Sequence, residues 1–235
     1  MITELNEAGK RAGLKINIKK TKILSNEEEE SEIEVGNQKI AKVKEITYLG
    51  QIISFENNME KEIDHRITLG WNKYWSLKKI FKGPFPNKKK SEIFNSSVLP
   101  TLTYGSQVWA TNAKERKKLK TTQNAMERSM LNIKLRDKIK IRIIKDKLKV
   151  TKDVIYLCYK NKWKWAGHIT RTQDNRWTER VTWWTPSNKR RKGRQKTRWR
   201  DDFGRLLGHN MYHQIAQYRA EWARLGEAFA LMGSI

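Results

Sequence analysis

A single cysteine, Cys158, stands among the 235 residues. It excludes an intramolecular disulfide framework and any multi-cysteine zinc site, and it fits a reducing compartment. No run of about 18 apolar residues occurs, so no transmembrane helix is expected. The opening Met1-Ile-Thr-Glu-Leu-Asn-Glu-Ala-Gly-Lys10 holds no apolar stretch of signal-peptide length, so a nuclear or cytoplasmic location is expected rather than secretion. Acidic residues are scarce: 25 Asp and Glu stand against 50 Lys and Arg, a formal charge of +25 at pH 7. That excess exceeds what solubility requires and calls for a polyanionic partner. The tryptophans are scattered among basic residues instead of gathered on one amphipathic helix, which favours nucleic acid, RNA or DNA, over a membrane surface. With 37% apolar and 10% aromatic residues the chain is too apolar for a disordered basic tail. At about 150 residues per domain, the length provides one or two folded domains.

Residues 2 to 12 read as a short polar helix ended by Gly13, which takes a left-handed cap conformation at no steric cost. Leu14-Lys-Ile-Asn-Ile18 alternates apolar and polar and predicts a half-buried strand. Glu27 to Glu30 is an acidic run, simplest as a solvated loop. Ile33 to Val35, Lys39-Ile40 and Ile46 to Ile53 read as short strands, with a turn at Gly36-Asn37. Past residue 57 the period changes. Ile63, Ile67, Trp71, Tyr74, Leu77 and Phe81 fall three or four apart and predict one long helix with a core-facing stripe. Gly83-Pro-Phe-Pro86 ends it. Asn87 is placed to cap the next helix, which runs through Phe94 and Leu99 to a break or kink at Pro100. Leu119, Met126, Met130 and Ile133 mark a third helix. Two further apolar-patterned segments, 137–149 and 151–165, meet near Val150-Thr151, although Ile139, Ile141 and Ile143 also alternate as a strand does. Two short helices joined there would lay basic side chains beside a nucleic-acid backbone.

Trp163, Trp165, Trp177, Trp183, Trp184, Trp199 and Trp222 crowd the last third, interleaved with Arg and Lys. The segment Lys189-Arg-Arg-Lys-Gly-Arg-Gln-Lys-Thr-Arg198 is too charged to pack inside a domain. A solvated run and a nuclear-import signal are two readings of it; the neighbouring tryptophans and the net charge favour a phosphate-binding segment. The residues expected to meet nucleic acid are Lys189, Arg190, Arg191, Lys192, Arg194, Lys196 and Arg198, with Trp183, Trp184 and Trp199 as stacking faces. A last helix, Met211 to Leu231, sets Ile215, Tyr218, Trp222, Leu225 and Phe229 on one core-closing face. His209 and His213 stand four apart, but no carboxylate or cysteine has a matching spacing, so no metal site is expected.

Two phrases near the start carry a resemblance. Ala12-Gly-Leu-Lys-Ile-Asn-Ile-Lys-Lys-Thr-Lys22, followed by Ile46-Thr-Tyr-Leu-Gly-Gln-Ile-Ile53, is similar to the last two palm motifs of reverse transcriptases from non-LTR (LINE-type) retrotransposons. Further phrases resemble the thumb and C-terminal region of the endonuclease-reverse transcriptases of that class, of the RTE or BovB kind. These are Leu99-Pro-Thr-Leu-Thr-Tyr-Gly105 with Trp109, Lys164-Trp-Ala-Gly-His-Ile-Thr-Arg171, Asn175-Arg-Trp-Thr178 and Arg198-Trp-Arg-Asp-Asp202. By that resemblance Lys20 takes the place of the lysine near the incoming triphosphate, and Tyr48, Leu49 and Gly50 form the primer grip. The implied fold is α+β, mostly α. It comprises a small β-containing palm remnant at 1–56, a helical thumb-like region at 57–135 and a basic, Trp-rich nucleic-acid-binding domain at 136–235.

The chemistry departs from the family. Two-metal phosphoryl transfer needs carboxylates that hold Mg²⁺ ions about 4 Å apart. In the family these come from an earlier strand and an aromatic-x-Asp-Asp hairpin, both N-terminal to the Gly13-Leu-Lys-Ile-Asn17 phrase. The only Asp-Asp pair here, Asp201-Asp202, follows a basic loop and lacks the apolar strand of a catalytic hairpin. It reads as a helix N-terminal charge or a partner for neighbouring arginines. The expectation is a truncated reverse transcriptase that binds nucleic acid without catalytic residues or cofactor of its own, Mg²⁺ being the parent family's. Two alternatives stand beside it: a domesticated nuclear DNA- or RNA-binding protein, and part of an active enzyme completed by an upstream palm and endonuclease.

Overall fold

The computed structural model describes residues 2–26, 33–35, 38–149, 152–172, 177–184, 192–193, 195, 197–208 and 211–234, the side chains of residues 179, 183 and 234 excepted. The chain divides into two units, 1–62 and 63–235. The first opens with α1 (Ile2–Arg11), which Gly13 closes at φ 74° as the sequence predicts. The Leu14 N–H returns to the Gly9 carbonyl (2.8 Å) and the Gly13 N–H to that of Lys10 (3.0 Å), which satisfies carbonyls the helix end leaves open. The strand predicted over Leu14–Ile18 does not form. Asn17 turns the chain first: its side chain and its carbonyl both accept from the Lys20 N–H, at 3.2 and 3.1 Å.

Among the described residues six short strands follow: β1 (Lys22–Ile23), β2 (Glu34–Val35), β3 (Gln38–Lys39), β4 (Ala41–Lys42), β5 (Glu45–Tyr48) and β6 (Gln51–Ser54). They pair as three two-stranded sheets, β1 parallel to β4, β2 antiparallel to β3 and β5 antiparallel to β6. The acidic run at 27–30 and the Gly36-Asn37 turn lie outside the described residues. Leu49 and Gly50 join β5 to β6 with both φ positive (49° and 79°), the geometry whose twist suits a two-residue hairpin. The start of α2 (Asn58–Ser76) anchors this hairpin. Asn58 accepts from the Ser54 N–H (2.9 Å), Glu62 from the Ile52 N–H (2.7 Å), and Lys61 pairs with Glu45 (2.9 Å).

In the second unit Ile63 and Tyr74 of α2 and Phe81 of α3 (Lys78–Lys82) are fully buried, so the predicted stripe is a core face. It lies on two helices instead of one. The break at Leu77 lets Phe81 stack on Tyr74, with centroids 4.7 Å apart. Asn87, expected as a cap, is instead the first residue of α4 (Asn87–Ile93) and donates to the Lys147 carbonyl at 3.2 Å. One π-helical turn, Phe94–Val98, then leads into α5 (Leu99–Leu102). Pro100 explains it: the ring clashes with a carbonyl four residues back, and the wider turn relieves that clash without ending the helix. A reciprocal cap between Asn112 and Glu115 (3.0 and 2.7 Å) starts α6 (Ala113–Met130), which stops short of Ile133.

The Ile139–Ile143 alternation makes no strand. It leads into α7 (Ile141–Leu148), whose buried residues, Ile144 and Leu148, stand four apart on one helix face. Asp153 caps α8 (Val154–Arg171) through the N–H groups of Ile155 and Tyr156 (2.9 and 3.3 Å). Val150-Thr151 lies outside the described residues. Then come α9 (Trp177–Trp183), α10 (Asp201–Leu207), α11 (Tyr212–Gln217) and α12 (Arg219–Ser234). The single last helix of the sequence reading is thus two. Tyr218 is extended (ψ 94°) and 71% exposed between them, off the core face it was assigned, while Trp222 and Phe229 are buried as expected. The chain is mostly helical with small sheets, the α+β class the sequence predicts.

α8 and α12 pack at very close range. Trp163 and Trp222 stack with centroids 3.8 Å apart, and each indole N–H donates to the other residue's carbonyl (2.8 and 3.2 Å). Each ring lies over a glycine of the facing helix. A Cβ on Gly167 would stand 2.3 Å from the Trp222 Nε1, and one on Gly226 would stand 2.9 Å from Trp163. Between α6 and α8, the buried Gln123 accepts from the Val154 N–H (2.7 Å) and donates to the Glu127 carboxylate (2.7 Å). Burial pushes the Glu127 pKa up, against the opposing pull of Lys145 and Gln123.

Glu127 supplies a pH prediction. Its folded pKa is raised, so its contribution to stability is full below its ordinary value of 4.5 and is lost as pH rises through the raised value. Glu127→Gln copies the protonated form. Urea unfolding of both proteins across that window should show the variant gaining on the wild type as pH rises; parallel curves contradict the assignment.

Candidate nucleic-acid interface

The buried face of α8 carries Ile155, Cys158, Tyr159, Lys162, Trp163, Ala166 and Ile169, a helical stripe with one lysine in it. Lys162 is 3% exposed. Its ammonium donates to the Trp109 carbonyl (3.0 Å) and the Asp202 carboxylate (2.5 Å), and lies 5.5 Å from the Trp199 ring and 5.7 Å from the Phe203 ring. Burial lowers its pKa from the ordinary value, against the raising pull of Asp202. Asp202 is 1% exposed in the first turn of α10, with Arg205 at 3.6 Å. The sequence reading gave the aspartates a helix-start charge and arginine partners. Both features are present, but the close partner of Asp202 is a lysine forty residues upstream.

This junction fixes the short segment ahead of α10. The Asp201 carboxylate accepts from the Arg198 N–H (2.7 Å), and the Trp199 indole N–H donates to the Gln107 carbonyl (2.7 Å) while its ring meets Phe203 edge-on at 4.9 Å. A concavity of about 390 Å³ opens beside it. Trp165, Trp184 and Trp199 supply aromatic surface, Val108, Ile169 and Val181 aliphatic surface, and Arg198 and Arg200 positive charge. Trp184 is 69% exposed, which leaves much of its ring accessible to a stacking partner. Planar rings beside guanidinium groups suit an unpaired base and its phosphates: indole faces accept any base, and arginine binds phosphate bidentately.

Of the residues expected to bind nucleic acid, Arg198, Trp184 and Trp199 come together here. Lys192 is exposed and does not line the concavity. Lys189, Arg190, Arg191, Arg194 and Lys196, and the side chain of Trp183, lie outside the described residues. Trp165 and Arg200 are functional candidates that sequence reasoning did not single out. Each sits in a family-like phrase, yet only the fold shows that it faces the same space. In the first unit, Lys20 is exposed on the Asn17 turn. Tyr48, Leu49 and Gly50 form the hairpin tip; Tyr48 and Leu49 are 60% and 76% exposed.

Among the described residues no three His, Cys, Asp or Glu side chains converge as metal ligands, and no helix is long and apolar enough to cross a membrane. Cys158 is buried, and desolvation pushes its thiol up to about 12, so it stays protonated and unreactive at neutral pH.

No protein-family model matches the chain, and no solved structure matches it. A transposon-derived protein of Caenorhabditis elegans, F52C9.6, is 33% identical over 239 aligned residues, which span 94% of this chain and 86% of that protein.

Lys162→Met strands the Asp202 carboxylate in the core and should cost about 3–5 kcal/mol in denaturant unfolding. Lys162→Met combined with Asp202→Leu should recover most of that loss. A single variant as stable as the wild type would show that the pair is not buried in solution.

Proposed function

The chain belongs to the family of transposon-derived proteins that includes the nematode F52C9.6, and on that premise we propose that it descends from a non-LTR retrotransposon reverse transcriptase and binds single-stranded nucleic acid. The observation that carries the binding is the meeting of Trp165, Trp184 and Trp199 with Arg198 and Arg200 around one concavity. The parentage rests on the motif phrases. Three phrases distant in sequence converge on the Lys162 junction: Trp109 gives its carbonyl, the helix of Lys164–Arg171 carries Lys162, and Asp202 closes the pair. A net charge of +25 attracts a phosphate backbone to the chain as a whole, and Arg198 and Arg200 place part of that charge at the concavity.

These residues bind without transferring nucleotides. The Asp-Asp pair makes structural contacts, Asp202 with Lys162 and Asp201 with the Arg198 N–H, which supports reading it as structural and not as a seat for two Mg²⁺ ions. The exposed tip at Tyr48–Gly50 favours a second reading, in which a palm supplied by another chain completes the enzyme and this tip holds the primer's 3′ end.

Trp184→Ala should weaken binding of a short single-stranded oligonucleotide by about 1–3 kcal/mol with no change in fold, since the ring is exposed. Arg198→Gln should flatten the log-affinity against log-salt slope by roughly 0.7 to 0.9. Fluorescence anisotropy at several salt concentrations measures both. Unchanged affinity in both variants would move the interface elsewhere.

Primer extension on an RNA template with Mg²⁺ or Mn²⁺ should give no product. Extension abolished by Asp201→Asn with Asp202→Asn would overturn the assignment of both aspartates to structure.

A further inference from the structure

The short helix α9 carries its large apolar side chains on the outside. Trp177, Val181 and Trp184 stand four and three residues apart, and at about 100° per residue they fall within an arc of about 60° on one face. Trp184 continues that face past the end of α9, because its N–H returns to the Arg180 carbonyl at 2.9 Å. All three are open to solvent, Trp177 at 76%, Val181 at 65% and Trp184 at 69%. A stripe with this spacing ordinarily turns toward a core, and one turned outward marks a contact surface. It runs out of the tryptophan concavity. Val181 and Trp184 line that space, whereas Trp177 is outside its lining, about 10 Å from Trp184 along the helix. Arg180 follows the same course, its guanidinium 5.7 Å from the centre of the Trp177 ring.

The size and the chemistry of the stripe select its partner. Two indoles of no more than about 250 Å² each and one valine fall short of the roughly 800 Å² per partner that a stable protein interface buries. Flat rings beside guanidinium groups match bases and their phosphates one to one, and a net charge of +25 has the sign that a strand requires. Stacked bases along a strand stand about 3.4 Å apart, so the distance of about 10 Å between the two tryptophans spans about three nucleotide steps. We propose that a single strand leaves the concavity along α9, with one base on Trp184, another about three positions further on Trp177, and Arg180 beside the phosphates between them. The inference rests on the reading of the concavity as a site for unpaired bases, and it extends that site from one nucleotide to a strand.

The test uses the full chain with oligothymidylates of two lengths, a dinucleotide confined to the concavity and an octanucleotide long enough to reach Trp177. Displacement of a labelled octanucleotide measures both affinities. Trp177→Ala should weaken the octanucleotide about tenfold, the loss of one stacked base, and leave the dinucleotide unchanged. Trp177→Phe should recover most of that loss, since a flat ring is what stacking needs. Trp184→Ala should weaken both lengths. Circular dichroism of all three variants should match the wild type, because both rings are exposed. Octanucleotide binding that Trp177→Ala leaves unchanged while Trp184→Ala weakens it overturns this inference and leaves the concavity in place. Binding that neither substitution weakens overturns the reading of the concavity and this inference with it. Equal loss of both lengths in Trp177→Ala overturns the path along α9, since it puts Trp177 at the same nucleotide as Trp184. Concentration-dependent sedimentation of the wild type that Trp177→Ala abolishes overturns it in favour of a contact between copies of this chain.

Discussion

The ammonium of Lys162 is the constraint on which the arrangement of the second unit depends. A buried lysine is costly by several kcal/mol unless its charge is met, and here groups from two separate segments meet it. The Trp109 carbonyl comes from the connection before α6, the Asp202 carboxylate from the start of α10, and the rings of Trp199 and Phe203 surround the head of the side chain. The desolvation cost makes the geometry specific, because moving the start of α10 away from α8 leaves a charge unpaired in the core. Trp199 and Arg198 owe their positions to this junction, so the candidate interface inherits its rigidity from a buried ion pair.

Around that pair the packing is aromatic. Phe203 and Phe229 stack at 5.1 Å, Trp163 lies 4.8 Å from Phe229, and Trp163 and Trp222 exchange indole hydrogen bonds. Large rings bury much apolar area, and their N–H groups must be satisfied when they are enclosed. Reciprocal donation to the facing carbonyls does both at once, and it requires the glycines at 167 and 226 that let the helices approach. The tryptophans of the last third therefore serve two purposes. Trp163 and Trp222 hold the fold, while Trp165, Trp184 and Trp199 present surface to a concavity.

Local chemistry was legible in the sequence. Gly13 ends α1 because only a left-handed residue closes that helix, and Gly83–Pro86 ends α3 because proline withholds a donor and fixes φ. The core stripe through Ile63, Tyr74 and Phe81 followed from its period. Long-range features were not legible. Lysine at 162 reads as solvated in any local window, and its partner lies forty residues away. The breaks at Leu77 and Tyr218 obey tertiary packing, since the apolar period runs straight through both. Strand-like alternation at 14–18 and 139–143 misled for the opposite reason: a turn at Asn17 and a helix face through Ile144 and Leu148 outweighed two-residue periodicity. At the candidate interface, composition alone pointed to Arg198, Trp184 and Trp199. The fold was needed to add Trp165 and Arg200.

The central claim is that an unpaired base sits among Trp165, Trp184 and Trp199. Photo-crosslinking the full chain to a single-stranded oligonucleotide that carries 5-iodouracil, with the modified peptides mapped by mass spectrometry, reads that contact directly. The account predicts adducts on peptides that contain one or more of these three tryptophans. Adducts confined to the helices between residues 63 and 135, with none on those peptides, would contradict it.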